Sequence, residues 1–230
     1  MGSGIRFKVV IASRLNEDQF YESSASGKSL MILKPDFVDI KLFPENDRGL
    51  SALYNKEILE SGDDDDIFVF MHDDVHVIDY FWFFRVQEAL AKFQIVGLVG
   101  NKVRRSFQPS WAFKDLSFKV DEWENFSGAI THGKNYSPVK VDFFGQTRQE
   151  VKLLDGVFLS STRKTLVDNK LFFDERFDFH FYDMDFCRQA EIKGVRCGTW
   201  DIAVRHESPG NFSSPEWLHG YKKYIEKWGD

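Results

Sequence analysis

The chain has 230 residues, 43% of them hydrophobic, with 24 Phe and 6 Trp, enough apolar material to bury a core in one domain or a compact pair. A net charge of −6 argues against a broad nucleic-acid-binding surface, so an anionic small substrate would need a metal ion or local basic residues to meet it. The two cysteines, Cys187 and Cys197, set no disulfide framework and no CxxC metal site, and no apolar run approaches the ~18 residues of a membrane span.

The N-terminus lacks a basic region followed by an apolar one, so a cytoplasmic, reducing setting is the expectation, with room for attachment to the inner membrane through partners. Residues 1–4, "MGSG", read as an expression remnant and stay outside the fold reading. "IRFKVVIAS" (5–13) reads as a strand, with Val9, Val10, Ile11 and Ala12 as a buried run. "VDIKLFPEN" (38–46) reads as a second, ended by Pro44 and Asn46. "DRGLSALYNKEILESG" (47–62) has Leu50, Leu53, Ile58 and Leu59 near one helical face and Gly62 as its C-cap. "DIFVFMH" (66–72) is a short apolar strand of the kind buried on both faces. "DYFWFFRVQEALAKF" (79–93) predicts a helix with Asp79 as N-cap, and "IVGLVGN" (95–101) another buried strand.

Strands alternating with helices predict an α/β protein with a mixed, mainly parallel central sheet, whose ligands bind outside the carboxyl ends of the strands. The second half changes character. Residues 101–115 and 125–140 read as long irregular loops, and their aromatics argue against disorder. "EVKLLDGVFLSS" (150–161) is a strand interrupted at Gly156, and "FYDMDFCRQAEIKG" (181–194) a helix closing at Gly194. "VRCGTWDIAVRH" (195–206) gives two short strands. "SSPEWLHGYKKYIEKW" (213–228) is a helix with Ser214 as N-cap and Pro215 in its first turn. Its Trp217, Tyr221, Tyr224 and Trp228 fall on one face.

The chemistry concentrates in "FVFMHDDVHVID" (68–79), where a buried strand runs into His72, Asp73 and Asp74. Burying ionised acids without a partner costs several kcal/mol at least. Either the pair sits on an exposed acidic turn, or a hard divalent cation such as Mg²⁺ or Mn²⁺ sits on it and shares its shell with substrate phosphates. In "HFYDMDFC", Asp183 and Asp185 diverge by about 200° on a helix and cannot share one role. His206, just past a short apolar strand, is either an ordinary hydrogen-bonded histidine or a metal ligand. Lys102, Arg104 and Arg105 are either solvated or a contact for an anion.

Taken in order, "VVIASR" (9–14), "ENDRGLSALYN" (45–55), "VFMHDDVHV" (69–77), "QPSWAF" (108–113), "LLDGVFLSSTRKTL" (153–166), "RFDFHFYDMDFCRQAEIKG" (176–194) and "GTWDIAVRHESPG" (198–210) span nearly the whole chain. This ordered set resembles the GT-A-fold glycosyltransferases of family 2, and most closely their streptomycin-biosynthesis-type domain. The resemblance implies one glycosyltransferase domain, with a nucleotide-binding half (5–101) and an acceptor and catalytic half (102–230). It implies an inverting enzyme that uses Mn²⁺ or Mg²⁺ and a nucleotide-sugar donor. The acceptor would be a glycan, a lipid-linked glycan or a small molecule, in glycan or polysaccharide biosynthesis.

Position by position, "HDD" stands at the DxD motif, which makes Asp74 the metal-binding acid and Asp73 a donor contact, with His72 replacing the usual first acid near the ribose. "YDMD" stands at the Glu-Asp-x-Asp motif, with Asp183 as catalytic base and Tyr182 where an acid is usual. The resemblance also implies that His206 completes the metal site, that Ser13, Arg14 and Asn46 form the nucleotide edge and that Asp155 and Gly156 line donor and acceptor; Trp111 is either a sugar-stacking aromatic or a core or lid one. A sugar-phosphate nucleotidyltransferase is the alternative enzyme, although no Gly-rich phosphate loop is evident. A non-catalytic carbohydrate-binding homologue is the alternative outside catalysis.

Overall fold

The apolar run Val9–Ile11 forms the middle of β1 (Phe7–Ala12), which leads through two short helices, α1 (Glu17–Ser23) and α2 (Ala25–Leu33), to β2 (Val38–Phe43). The structure, a computed structural model, describes residues 5–60, 62–134, 140–208 and 210–229; the "MGSG" reading lies outside them. The chain continues through α3 (Leu50–Glu60), β3 (Ile67–Met71), β4 (Val75–Val77), α4 (Trp82–Leu90), β5 (Ile95–Gly97) and β6 (Val99–Asn101). It then forms β7 (Phe126–His132), β8 (Lys140–Gly145), β9 (Glu150–Val151), β10 (Leu153–Leu154), β11 (Phe158–Thr162) and α5 (Arg163–Asp168). Helix α6 (Tyr182–Ile192), β12 (Cys197–Thr199), β13 (Val204–His206) and α7 (Pro215–Trp228) complete it.

The first sheet runs β2-β1-β3-β11-β5-β12-β9 and is mixed: β1 is parallel to both β2 and β3, while β11 lies antiparallel between β3 and β5. All five residues of β3 are buried, as a central strand covered on both faces requires. The second sheet runs β10-β6-β7-β13-β4, with β8 paired to β7. The chain passes between the sheets at Leu98, at Lys152 and at the His72–Asp74 turn, so that turn lies on the seam.

Several sequence readings change. Residues 16–33 hold two helices that hydrophobic spacing did not announce, started by an Asn16–Gln19 capping box and by Ser24, whose hydroxyl accepts from the Gly27 amide. The helix expected over 79–93 is regular only over Trp82–Leu90, and Asp79 instead closes the preceding turn by accepting from the Phe81 amide and from Arg85. The stretch 125–140, expected as loop, contains β7, which pairs with β8 just after it and with β6 and β13 farther along the chain; residues 135–139 lie outside the described set. Ser214 does cap α7 by accepting from the Trp217 amide, with Pro215 at the first helical position. Among the described residues no helix is long and apolar enough to cross a membrane.

Candidate active site

The His72–Asp74 turn is held from beneath by α2. The Ser26 amide donates to the Asp73 carbonyl at 3.0 Å, and the Ser26 hydroxyl lies 2.7 Å from the carbonyls of both His72 and Val75. The Glu207 amide donates to the Asp74 carbonyl at 3.0 Å, and β13 pairs with β4 so that His206 stands opposite Val75. That register brings His206 Nε2 to 3.3 Å from Asp74 Oδ2. One potential ligand atom from each of His72, Asp74 and His206 falls within 4.8 Å of the other two.

The electrostatics of this cluster fit a cation. Burial works against ionising Asp74, yet the His206 hydrogen bond and charge hold its carboxyl below the ordinary range. The buried Asp74 Oδ1 has no hydrogen-bond partner among the described residues. An unpartnered buried carboxylate oxygen is costly, and a metal ion on it removes the cost. Burial lowers the pKa of His72 despite the nearby carboxylates, which favours the neutral imidazole that ligates metals. Two imidazoles and one carboxylate form a donor set for a first-row transition metal more than for Mg²⁺, which prefers an all-oxygen shell.

Asp183 lines the same cavity. Tyr182 and Asp183 open α6, directly after Phe181, a buried non-glycine residue at φ 66°. Asp183 Oδ2 accepts from the Gly156 amide at 2.9 Å and Oδ1 from the Met184 amide at 2.8 Å. Even so, burial first and the Asp155 charge second push Asp183 up to about 7. Asp155 is fixed by Trp111, whose indole N–H donates to it at 2.7 Å, and by the Val157 amide at 2.8 Å. Trp111 is 8% exposed and packs on Phe126 and Phe144, so it is chiefly a wall residue. Asp185, two residues on from Asp183, is fully buried and turned away, accepting from Gln189, Trp228 and Lys227.

His72, Asp74, His206, Asp155, Gly156 and Asp183 thus share one cavity of about 250 Å³. Ser13, Arg14, Asn46 and Asp73 line a second, broader cleft of about 760 Å³ with Arg48. There the Ser13 hydroxyl donates to Asp73 Oδ2 at 2.6 Å, while the Asn46 side chain closes its own loop on Arg48. Adjacent residues Asp73 and Asp74 therefore serve different cavities. Phe179 lines both and stacks on His72, centroid to centroid 5.4 Å at 26°.

Of the loop cations left open between solvent and an anion, Arg104 pairs with Glu191 and Arg105 with the buried Asp121. Ser26 and Phe179 escaped sequence reading, and His180 reads from the sequence as an ordinary hydrogen-bonded histidine although it lines this cavity. For Ser26 the signal was present, since the Ser-Ala-Ser-Gly run (24–27) marks a helix start. No local signal distinguishes Phe179 or His180 from other aromatic loop residues.

No protein-family model matches the chain, and no curated protein matches it in sequence. Solved structures do match in fold. S. aureus TarS 1–349 superposes with a TM-score of 0.53 at 14% identity, over 96% of this chain and 64% of that one. GalNAc-T7, crystallised with UDP, GalNAc and Mn²⁺, superposes with a TM-score of 0.58 at 11% identity, over 96% of this chain and 48% of that one. The chain spans less than two thirds of either. Its fold is GT-A, the α/β class expected from the sequence.

Proposed function

We propose that this chain is a divalent-metal-dependent, inverting glycosyltransferase that moves a sugar from a nucleoside-diphosphate donor to an acceptor hydroxyl. The observation that carries this reading is the His72–Asp74–His206 cluster, with its unpartnered carboxylate oxygen, in one cavity with Asp183 at the seam of the two sheets. The presence of UDP, GalNAc and Mn²⁺ in the GalNAc-T7 structure supports it, and of the expected Mn²⁺ or Mg²⁺ the two imidazoles favour Mn²⁺. Held by these three side chains, the ion would act as a Lewis acid toward the negative charge of a departing diphosphate.

This chain's own residues supply the rest. Asp73, Ser13 and Arg14 line the cleft suited to the nucleotide. Each Asp183 oxygen accepts one amide hydrogen bond and keeps a lone pair for the acceptor hydroxyl proton. One base acting opposite the leaving group gives inversion, by the geometry that separates inverting from retaining hydrolysis.

Donor hydrolysis and transfer assays with and without Mn²⁺ test the reading. The expected result is Mn²⁺ dependence, with a rate loss of about 100-fold or more in Asp74→Ala and in Asp183→Asn. Unchanged rates in both variants would refute the assignment. Thermal shifts with UDP, GDP, dTDP and CMP, each with Mn²⁺, identify the donor base, because a ligand bound only by the native state raises Tm.

A further inference from the structure

Tyr182 has one hydroxyl proton and, besides the Tyr54 hydroxyl nearby, two polar neighbours within hydrogen-bond distance. Its oxygen lies 2.6 Å from the Gly156 carbonyl oxygen and 2.9 Å from His72 Nε2. A carbonyl oxygen only accepts, so at that distance the phenol proton must lie on the line to Gly156; otherwise two oxygen lone pairs would face each other. The phenol can then only accept from His72, which requires an N–H on Nε2. A neutral imidazole carries one N–H, so its lone pair resides on Nδ1.

We propose that Tyr182 is a positioning residue that locks His72 in the Nε2–H tautomer and so makes Nδ1 the nitrogen offered to the cation. The proposal rests on the metal-site reading above and adds which atom ligates and what fixes it. Metal-ligating histidines commonly have their second nitrogen held by a fixed partner that sets ring orientation and ligand basicity.

The surroundings leave Tyr182 little alternative. Its side chain is 2% exposed and is packed among Tyr54, Phe173 and His72. Gly156 makes the approach possible, since a Cβ there would fall 2.4 Å from the Tyr182 oxygen. The same glycine donates its amide to Asp183, so the expected base and, through Tyr182, the metal ligand are held by one residue.

Long-range ¹H–¹⁵N correlation spectra of the metal-free protein, with His72 assigned by its loss in His72→Gln, read the tautomer directly. The expected result is a protonated Nε2 and an unprotonated Nδ1; the reverse tautomer overturns the proposal without recourse to any Tyr182 variant. Calorimetric Mn²⁺ titration is the second arm. Tyr182→Phe, with its fold checked by melting, should bind Mn²⁺ about 10–100-fold more weakly than wild type. Wild-type binding with equal affinity in Tyr182→Phe overturns the role of Tyr182 and leaves the metal site standing. Absence of Mn²⁺ binding to wild type overturns the metal site itself, and with it the ligand assignment of Nδ1.

Discussion

Burial and the Asp155 charge push Asp183 up to about 7, and the shift acts on both rate and stability. A general base works only when deprotonated, so kcat/KM should climb with pH and reach half its plateau near pH 7. Stability runs the other way. The folded pKa lies above the unfolded value of about 3.9, so the native state binds the extra proton, and stability falls as pH rises from about 4 through 7. Replacing Asp183 by Asn removes this pH-dependent penalty, which is on the order of 2–4 kcal/mol by pH 8. The Tm of Asp183→Asn relative to wild type should therefore become steadily more favourable between pH 5 and pH 8. Parallel melting curves across that range would show that Asp183 titrates normally.

Helix α7 determines where α6 begins. Phe181 sits in the left-handed region at φ 66°, which a bulky residue tolerates only when its surroundings hold it there. Trp217, Tyr221 and Tyr224 of α7 provide that hold, with ring centroids 5.1, 5.8 and 5.6 Å from Phe181. At the far end of α7, Lys227 lies 2.6 Å from the fully buried Asp185 and 2.7 Å from Asp174. Lys227→Met should destabilise the protein by about 3–5 kcal/mol, because it strands a buried carboxylate. A chemical-denaturation midpoint unchanged from wild type would contradict this. The aromatic spacing and the Ser-Pro start made α7 legible in advance. Strands β4 and β13 were not, because three-residue segments have no readable period and exist only through pairing between residues about 130 positions apart. Strand β7 was missed for a different reason: its FSGAITH sequence is rich in small and polar residues and lacks the apolar run that marked β1 and β3.

At the scale of the whole molecule, function is placed by the divergence of two sheets. The buried β3 belongs to one, β4 to the other, and the acids fall where the chain crosses between them. The chain reverses at His72–Val75, where the Val75 amide donates to the His72 carbonyl, and within that turn Asp73 lines the broad cleft while Asp74 joins the cluster with His206. The pairing of Asp74 with His206 at one site, and Asp183 as a candidate base, were expected from motif order. That His72, expected near the ribose, lies with Asp74 and His206 was not, since it depends on the turn that β3 makes into β4 and on the β4–β13 register. The central claim is that one cation sits on His72, Asp74 and His206. Anomalous diffraction from crystals soaked with Mn²⁺ and a nucleoside diphosphate measures this directly. The account predicts a single peak within about 2.0–2.4 Å of one atom from each of the three side chains. No peak there, or a peak on other residues, would contradict it.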